Sequence, residues 1–461
     1  MPVLQLDRIE PSITAQDFFT NYIAKRRPAI ICGLPDDPTF QAHKWTDLDY
    51  LARKAGDSAL LVEPMHPATR QFGTDVQRVS MPFREFLASL SEDSEKPHHY
   101  LTTQYADDDE DLETLFSPPT DALMNDFPRV PRLMGNLCLQ QVNLWLGKSA
   151  DGSSSGLHHD FHDNLYCLLQ GRKRFALLQP AEVEHLYPHG QLDTLHANGL
   201  ISYADAPVRA DGLSARAACK ARVQALERKI NVLPRKDNGH ANTRERQALL
   251  DALDDARDEL AQLALDSGEL EGEIDDFDAL VGGLQDECDE SASGASTDHD
   301  EDEVEQEEAL GGPLAEGDSE PASFSRIPTA YLHKHLGLPT TAMFPTSASL
   351  DFSDLAKTNS PYIVELSAGE MLYLPASWWH EVTSSSVLTR SDGSAVHMAF
   401  NYWFYPPDAL ESFEQPYADA LVWDYLREKA SRDETGLAWR ARKGKRKQEV
   451  VEDKALKKLR W

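Results

Sequence analysis

Between Glu269 and Glu320 the chain carries 21 acidic residues and not one lysine or arginine. Large apolar side chains are scarce in the same 52 residues. Such a segment repels itself and buries too little apolar surface to offset the entropy lost on ordering. Residues 269–322 are therefore expected to be disordered. The globular sequence on either side must then form two separate domains or two halves of one. The same stretch holds about two-thirds of the formal net charge of −32.

With 45 basic against 77 acidic residues, direct binding to nucleic acid or to an anionic membrane surface is not expected. No apolar run approaches the ~18 residues of a membrane-spanning helix. The N-terminal segment is broken by Asp7, Arg8 and Glu10 and lacks the apolar core of a secretory signal. Five scattered cysteines, Cys32, Cys138, Cys167, Cys219 and Cys288, form no CxxC pair. That excludes a disulfide framework and a thiolate zinc site, and points to the cytoplasm, the nucleus or both. Any metal must be held by histidine and carboxylate.

Residues 1–204 read as globular. Pro28 to Leu34, Val142 to Leu146, Asn164 to Leu169 and Arg174 to Leu178 are short apolar runs bounded by Gly or Pro, the pattern of buried strands. Trp45 to Ala55 and Pro82 to Leu90 have helical spacing. From about 206 the character changes. Val223, Leu226, Ile230 and Leu233, then Leu250, Leu253, Ala256 and Leu260, recur at steps of three and four. These narrow stripes predict a helical hairpin over 213–265, inside an insert running from 205 to 322. Strand patterns return at Tyr362 to Leu366, Met371 to Leu374 and His397 to Phe404. A helix with Tyr417, Leu421, Tyr425 and Leu426 on one side then closes a second stretch, 323–434. A basic tail, 435–461, ends the chain and reads as an import signal or as a loose counterweight to the acidic run. Two strand-rich stretches around such an insert predict one β domain, interrupted.

The sharpest local feature is Gly156-Leu-His158-His159-Asp160-Phe-His162-Asp163-Asn164. In an extended segment His158 and Asp160 share a face and His159 points away. Two histidines and a carboxylate on one face of an octahedron are the ligand set of non-haem iron oxygenases. His158 and His162, at i and i+4, are the alternative pair if the segment is helical. A third ligand is offered by His380 in Leu372-Tyr-Leu-Pro375-Ala-Ser-Trp378-Trp379-His380, with His397 as its rival. Metal bonds of about 2.0–2.2 Å would require the donor atoms to lie within roughly 3–4 Å of one another.

In combination and in order, three stretches resemble the JmjC (cupin-type) 2-oxoglutarate oxygenases: Gly156-Leu-His158-His-Asp160 with Asn164, Gly171-Arg-Lys173, and Gly369-Glu-Met-Leu-Tyr-Leu-Pro375 with Trp379-His380. Val142 to Gly147 and Phe400-Asn401-Tyr-Trp403 resemble the flanking strands. Asn164-Leu-Tyr-Cys167 and Gly369 to Ala376 are most similar to the JmjC-only branch of jumonji domain-containing protein seven, a lysyl hydroxylase. The resemblance spans about 20–204 and 345–430. It implies a mainly β fold, a double-stranded β-helix or jelly roll with flanking helices. It implies Fe(II) held by His158, Asp160 and His380, with 2-oxoglutarate and dioxygen as cosubstrates. Lys173 and Tyr100 would bind the distal carboxylate of 2-oxoglutarate, Asn164 and Asn401 would line the pocket, and Ser155 would contact the cosubstrate. The first and last ligands are 222 residues apart, farther than is usual in the branch, and the insert accounts for the excess. The implied reaction is hydroxylation of a protein side chain, a lysine by the branch resemblance, with release of succinate and CO₂. A basic protein or a GTPase of the developmentally regulated type is the expected partner, and a homodimer is compatible with the sequence. Histone lysine demethylation and a non-catalytic scaffold are the alternatives.

Overall fold

A computed structural model describes residues 3–67, 71–72, 76–91, 99–104, 115–149, 152–233, 240–266, 320–340, 351–386 and 395–430. The acidic stretch through 319 and the basic tail lie outside these residues, as does Cys288. The chain divides into two compact units, Met1–Ala221 with Glu320–Trp461, and Arg222–Ser319.

The first unit is built on two sheets. One runs in the order Arg8–Ile9, Ala29–Ile31, Met371–Leu374, Asp163–Gln170, His397–Phe404, Leu139–Gly147. The other runs Tyr362–Ser367, Arg172–Leu178, Trp379–Ser385, Ser153–Ser154. Strands from before and after the insert are interleaved in both. Met371–Leu374 pairs antiparallel with Asp163–Gln170, and Trp379–Ser385 with Arg172–Leu178. Neither stretch can complete its backbone hydrogen bonding alone, so the two strand-rich stretches are one domain. Antiparallel strands in two interleaved sheets make a mainly β jelly roll with flanking helices.

Side-chain alternation explains why these strands read as unbroken apolar runs. On Asp163–Gln170, Leu165, Cys167 and Leu169 join the large outer core, while Tyr166 and Leu168 face the second sheet with Phe175, Leu177, Leu372 and Leu374. All eight residues are buried, because helical segments cover the outer face. Phe18, Trp45, Leu51, Phe83 and Phe86 come from that cover. The helix Leu48–Ala55 starts where the Asp47 carboxylate accepts from the Asp49 amide. Trp45 falls instead in a 3₁₀ turn, Ala42–Thr46. At the corner between the sheets Gly171 has φ 81°. A Cβ there would lie 2.8 Å from the Ser385 carbonyl oxygen, so the corner needs glycine.

Two sequence expectations need correction. Residues 205–221 and 320–322, assigned to the insert on composition, lie in the β unit. Leu213, Ala218 and Ala221 belong to its outer core, and the buried Asp211 carboxylate accepts from Trp423 Nε1 at 3.0 Å and pairs with Arg209 at 2.7 Å. Charged residues on either side masked these few anchors. The C-terminal helix, at 420–430, turns Val422 and Trp423 inward, whereas Leu421 is only partly buried. Tyr417 is buried but precedes the helix, while Tyr425 and Leu426 pack against the outer core as expected.

The second unit contains most of the helix Ala215–Val232 and all of His240–Asp266. Among the described residues Val223, Ala225, Leu226, Ile230, Leu253 and Ala256 are its buried ones. Arg222–Glu259 and Arg257–Glu227 ion pairs lie beside them. No described helix is long and apolar enough to cross a membrane.

Asp211→Ala tests the revised boundary. It removes the acceptor of Trp423 Nε1 and of the Leu213 amide, and should lower the free energy of denaturant unfolding by about 1–3 kcal/mol. Unchanged stability would return residues 205–221 to the insert.

Candidate metal centre

His158 and His380 approach through their backbones. Each amide donates to the other residue's carbonyl, at 3.0 Å from His158 and 2.7 Å from His380. This two-bond bridge extends the pairing of the second sheet and places the imidazoles with centroids 4.3 Å apart. Asp160 is held from the opposite side. Its carbonyl accepts from the Ser377 amide at 2.7 Å, in a turn where Ser377 itself has φ 63°. The Ser377 hydroxyl then accepts from the Ile201 amide. The strain of a left-handed serine is thus held by two buried hydrogen bonds next to His380.

Ligand atoms of His158, Asp160 and His380 all lie within 4.8 Å of one another, and Asp160 Oδ2 is 3.8 Å from His380 Nε2. The set is wider by roughly an ångström than bonds to one ion would leave it. The proton positions suit metal binding. His158 Nδ1 faces the Gly156 carbonyl at 3.1 Å and His380 Nδ1 faces the Trp378 carbonyl at 2.9 Å. A carbonyl only accepts, so both Nδ1 atoms carry the proton and both Nε2 lone pairs are left for an ion. Burial, and then the neighbouring His380, push the His158 pKa down to about 4, which keeps it neutral at pH 7.

The other histidines lie elsewhere. His162 stacks on Trp403 at 5.7 Å, and the segment from His158 to His162 is not helical, which rules out the i, i+4 pair with His158. His159 points away, its Nε2 2.8 Å from the Tyr203 hydroxyl. His397 sits against Tyr100, with ring centroids 5.5 Å apart, and is not in the cluster.

A cavity leads from this cluster into the jelly roll, and Lys173, Tyr100, Asn164 and Ser155 line it. Lys173 is 2 % exposed. Its ammonium donates to Ser384 Oγ at 2.5 Å and Tyr100 Oη at 3.3 Å. No carboxylate lies within 4 Å of it among the described residues. Burial alone pushes its pKa down to about 7. A buried cation with only hydroxyl partners fits an anionic ligand. Asn401, by contrast, stands behind the wall. It is fully buried, donates to Asn164 Oδ1 at 2.9 Å and accepts from Trp145 Nε1 at 2.9 Å. It orients two lining residues and is not itself one. The Ser155 hydroxyl is engaged by the backbone, accepting from the Val382 amide and donating to the Gly156 carbonyl.

Ser384 and Trp145 line the cavity and were not anticipated. Ser384 was within reach of pattern reading. His380, Val382 and Ser384 alternate inward along Trp379–Ser385, and Ser384 pairs with Lys173 across the ladder.

An interleaved jelly roll with a His, Asp, His donor set at one end of its cavity is the arrangement of cupin-type metal proteins. The sequence matches the family described as Cupin-like domain over residues 15–410. JmjC domain-containing protein 4 of Schizosaccharomyces pombe is 38% identical over 429 residues, covering 90% of this chain and 87% of that protein. tRNA wybutosine-synthesizing protein 4 of Neurospora crassa is 33% identical over 190 residues, 37% of this chain and 14% of that protein. Lysine-specific demethylase JMJ31 of Arabidopsis thaliana is 28% identical over 211 residues, 39% of this chain and 37% of that protein. The chain belongs to the cupin-like JmjC family, whose members are typically Fe(II)/2-oxoglutarate oxygenases, although some are non-catalytic.

Lys173→Met should stabilise the ligand-free protein by on the order of a few kcal/mol, the size of the pKa displacement it relieves. The sign with pH is fixed. A folded-state pKa near 7 against an ordinary 10.5 means that the unfolded chain holds the extra proton between those values. Wild-type stability should therefore rise from about pH 7 to about 10.5 relative to Lys173→Met, read by chemical denaturation across that range. A gap that widens with pH would show that Lys173 has an anionic partner within the fold.

Proposed function

We propose that the protein is an Fe(II)- and 2-oxoglutarate-dependent dioxygenase that hydroxylates a lysine side chain of a partner protein. One observation carries the reading: the His158, Asp160 and His380 donors and the buried, anion-seeking Lys173 line the same cavity. A dicarboxylate cosubstrate needs a metal at one end and a cation at the other.

Bound Fe(II) would supply the chemistry by which one atom of dioxygen enters succinate, formed from 2-oxoglutarate with loss of CO₂, and the other converts a substrate C–H into C–OH. The chain's part is placement. His158 and His380 present Nε2 lone pairs, and Asp160 contributes one negative charge and stays reachable, with its side chain 23% exposed. Lys173 would pair with the distal carboxylate while Ser384 and Tyr100 aim its Nζ. An arriving dianion favours the ammonium, so binding above about pH 7 takes up a proton at Nζ. Phe175, Leu372, Leu374 and Val382 wall the cavity with apolar surface, which excludes water and strengthens the pairing.

Lysine as the target rests on the likeness to lysyl hydroxylases. The same likeness suggests a GTPase of the developmentally regulated type as the partner, and the net charge of −32 suits a basic protein segment. Among the described residues Cys32, Cys138, Cys167 and Cys219 form no disulfide, which supports the cytoplasm or nucleus as its compartment. The complete donor set disfavours a scaffold without activity.

Anaerobic addition of Fe(II) and 2-oxoglutarate should produce a weak visible charge-transfer band, and His158→Ala should abolish it and turnover with far-ultraviolet circular dichroism unchanged. Lys173→Ala should raise the 2-oxoglutarate requirement roughly 10- to 100-fold, the ~1.5–3 kcal/mol of a hydrogen bond to a charged group, with a smaller effect on iron binding. Mass spectrometry of lysine peptides after turnover should show the gain of one oxygen. Loss of methyl groups from methylated peptides would replace hydroxylation by demethylation, and no band in the wild-type protein would leave a scaffold.

A further inference from the structure

We propose that Phe324 is a positioning residue for the metal centre, acting through His158. The inference rests on the reading of His158, Asp160 and His380 as a metal site and adds a fourth participant to it. Phe324 lies in the short segment from Glu320 that returns to the β unit, outside every motif that marks the site.

The geometry is specific. The Phe324 ring lies flat on the His158 imidazole, with centroids 4.8 Å apart and planes 15° from parallel. The His380 ring lies against the same imidazole at 4.3 Å and 53°. Edgewise, among the described residues, the His158 ring is tethered by Nδ1 at the Gly156 carbonyl. That bond is a pivot, because the ring can rotate about Cβ–Cγ while the bond bends. A shift of this kind swings Nε2 away from the point shared with Asp160 and His380. Two flat neighbours restrict the swing, and Phe324 is the one that is not itself a ligand.

The segment is fastened on both flanks. The His159 amide donates to the Ser323 carbonyl at 3.1 Å, and the Ser325 amide donates to the Leu157 carbonyl at 2.8 Å. The Phe324 carbonyl accepts from the His189 amide at 2.8 Å. Farther along, on the helix Thr329–Leu336, His333 Nε2 lies 3.1 Å from Glu381 Oε2, both side chains within 1% of full burial. Glu381 adjoins His380 and also accepts from Ser154 Oγ at 2.6 Å. The returning chain therefore grips the strands of both histidine ligands, and Phe324 is held in place as they are.

The test uses the full chain and Mn(II) alone, titrated by electron paramagnetic resonance. Phe324→Leu keeps apolar bulk without a flat face and should weaken Mn(II) binding about tenfold, the low end for a residue supporting a ligand. Phe324→Tyr keeps the face and should bind within about twofold of wild type. Circular dichroism melts establish that each variant is folded. Phe324→Leu equal to wild type, or Phe324→Tyr as weak as Phe324→Leu, would overturn the inference. Wild-type protein that binds no Mn(II) would overturn the reading of the site itself, and this inference with it.

Discussion

Pairing between Arg172–Leu178 and Trp379–Ser385 is the constraint on which the rest of the β unit depends. These strands lie on opposite sides of the insert, and seven residue pairs register them without a shift. That register sets Ser384 beside Lys173 at one end and brings His380 toward His158 at the other. A slip of one residue would turn His380 and Ser384 out of the cavity together, because side chains alternate across a strand. Metal donors and buried cation are thus aligned by one ladder, and neither end can be moved alone.

Electrostatics then separates the two ends. Near the donors burial pushes the His158 pKa down to about 4, and the carbonyl hydrogen bonds fix the Nδ1 protons of both histidines, so an incoming cation meets one carboxylate and two lone pairs. At the other end Lys173 is kept partly deprotonated by burial and lacks a carboxylate partner. The Lys173 end carries a cost in the fold, which a bound anion relieves. A fold that holds a charge deficit at a defined point is a recognition device for the opposite charge.

Much of this was legible in the residues because the strands are buried on both faces and end at Gly or Pro. Periodicity located Asp163–Gln170, Arg172–Leu178 and His397–Phe404 to within two residues. Extended spacing put His158 and Asp160 on one side. Two kinds of information were hidden. Boundaries set by a few buried contacts, such as Asp211 with Trp423, are swamped by the charge of their neighbours. Contacts between residues far apart in the chain leave no local pattern, so Asn401 could be placed near the pocket but not behind its wall, and Phe324 carried no signal at all.

The segment that carries His158 also shows why one carboxylate is available to a metal and another is not. Asp160 and Asp163 are three residues apart. Asp163 is fully buried, and four donors engage it: two guanidinium nitrogens of Arg26 at 2.7 and 2.5 Å, Tyr373 Oη at 2.7 Å and the Ala376 amide at 2.9 Å. Its lone pairs are spent, and releasing any of them would leave a buried donor unpaired. The Arg26 carbonyl in turn accepts from Trp378 Nε1, so this hub fixes the turn that leads into His380. Asp160 has its carbonyl tied to the same turn through Ser377 while its carboxylate remains partly exposed. One aspartate holds the scaffold and the other is left free to bind. The difference comes from the strand's entry into the sheet at Asp163, beyond which every side chain is enclosed.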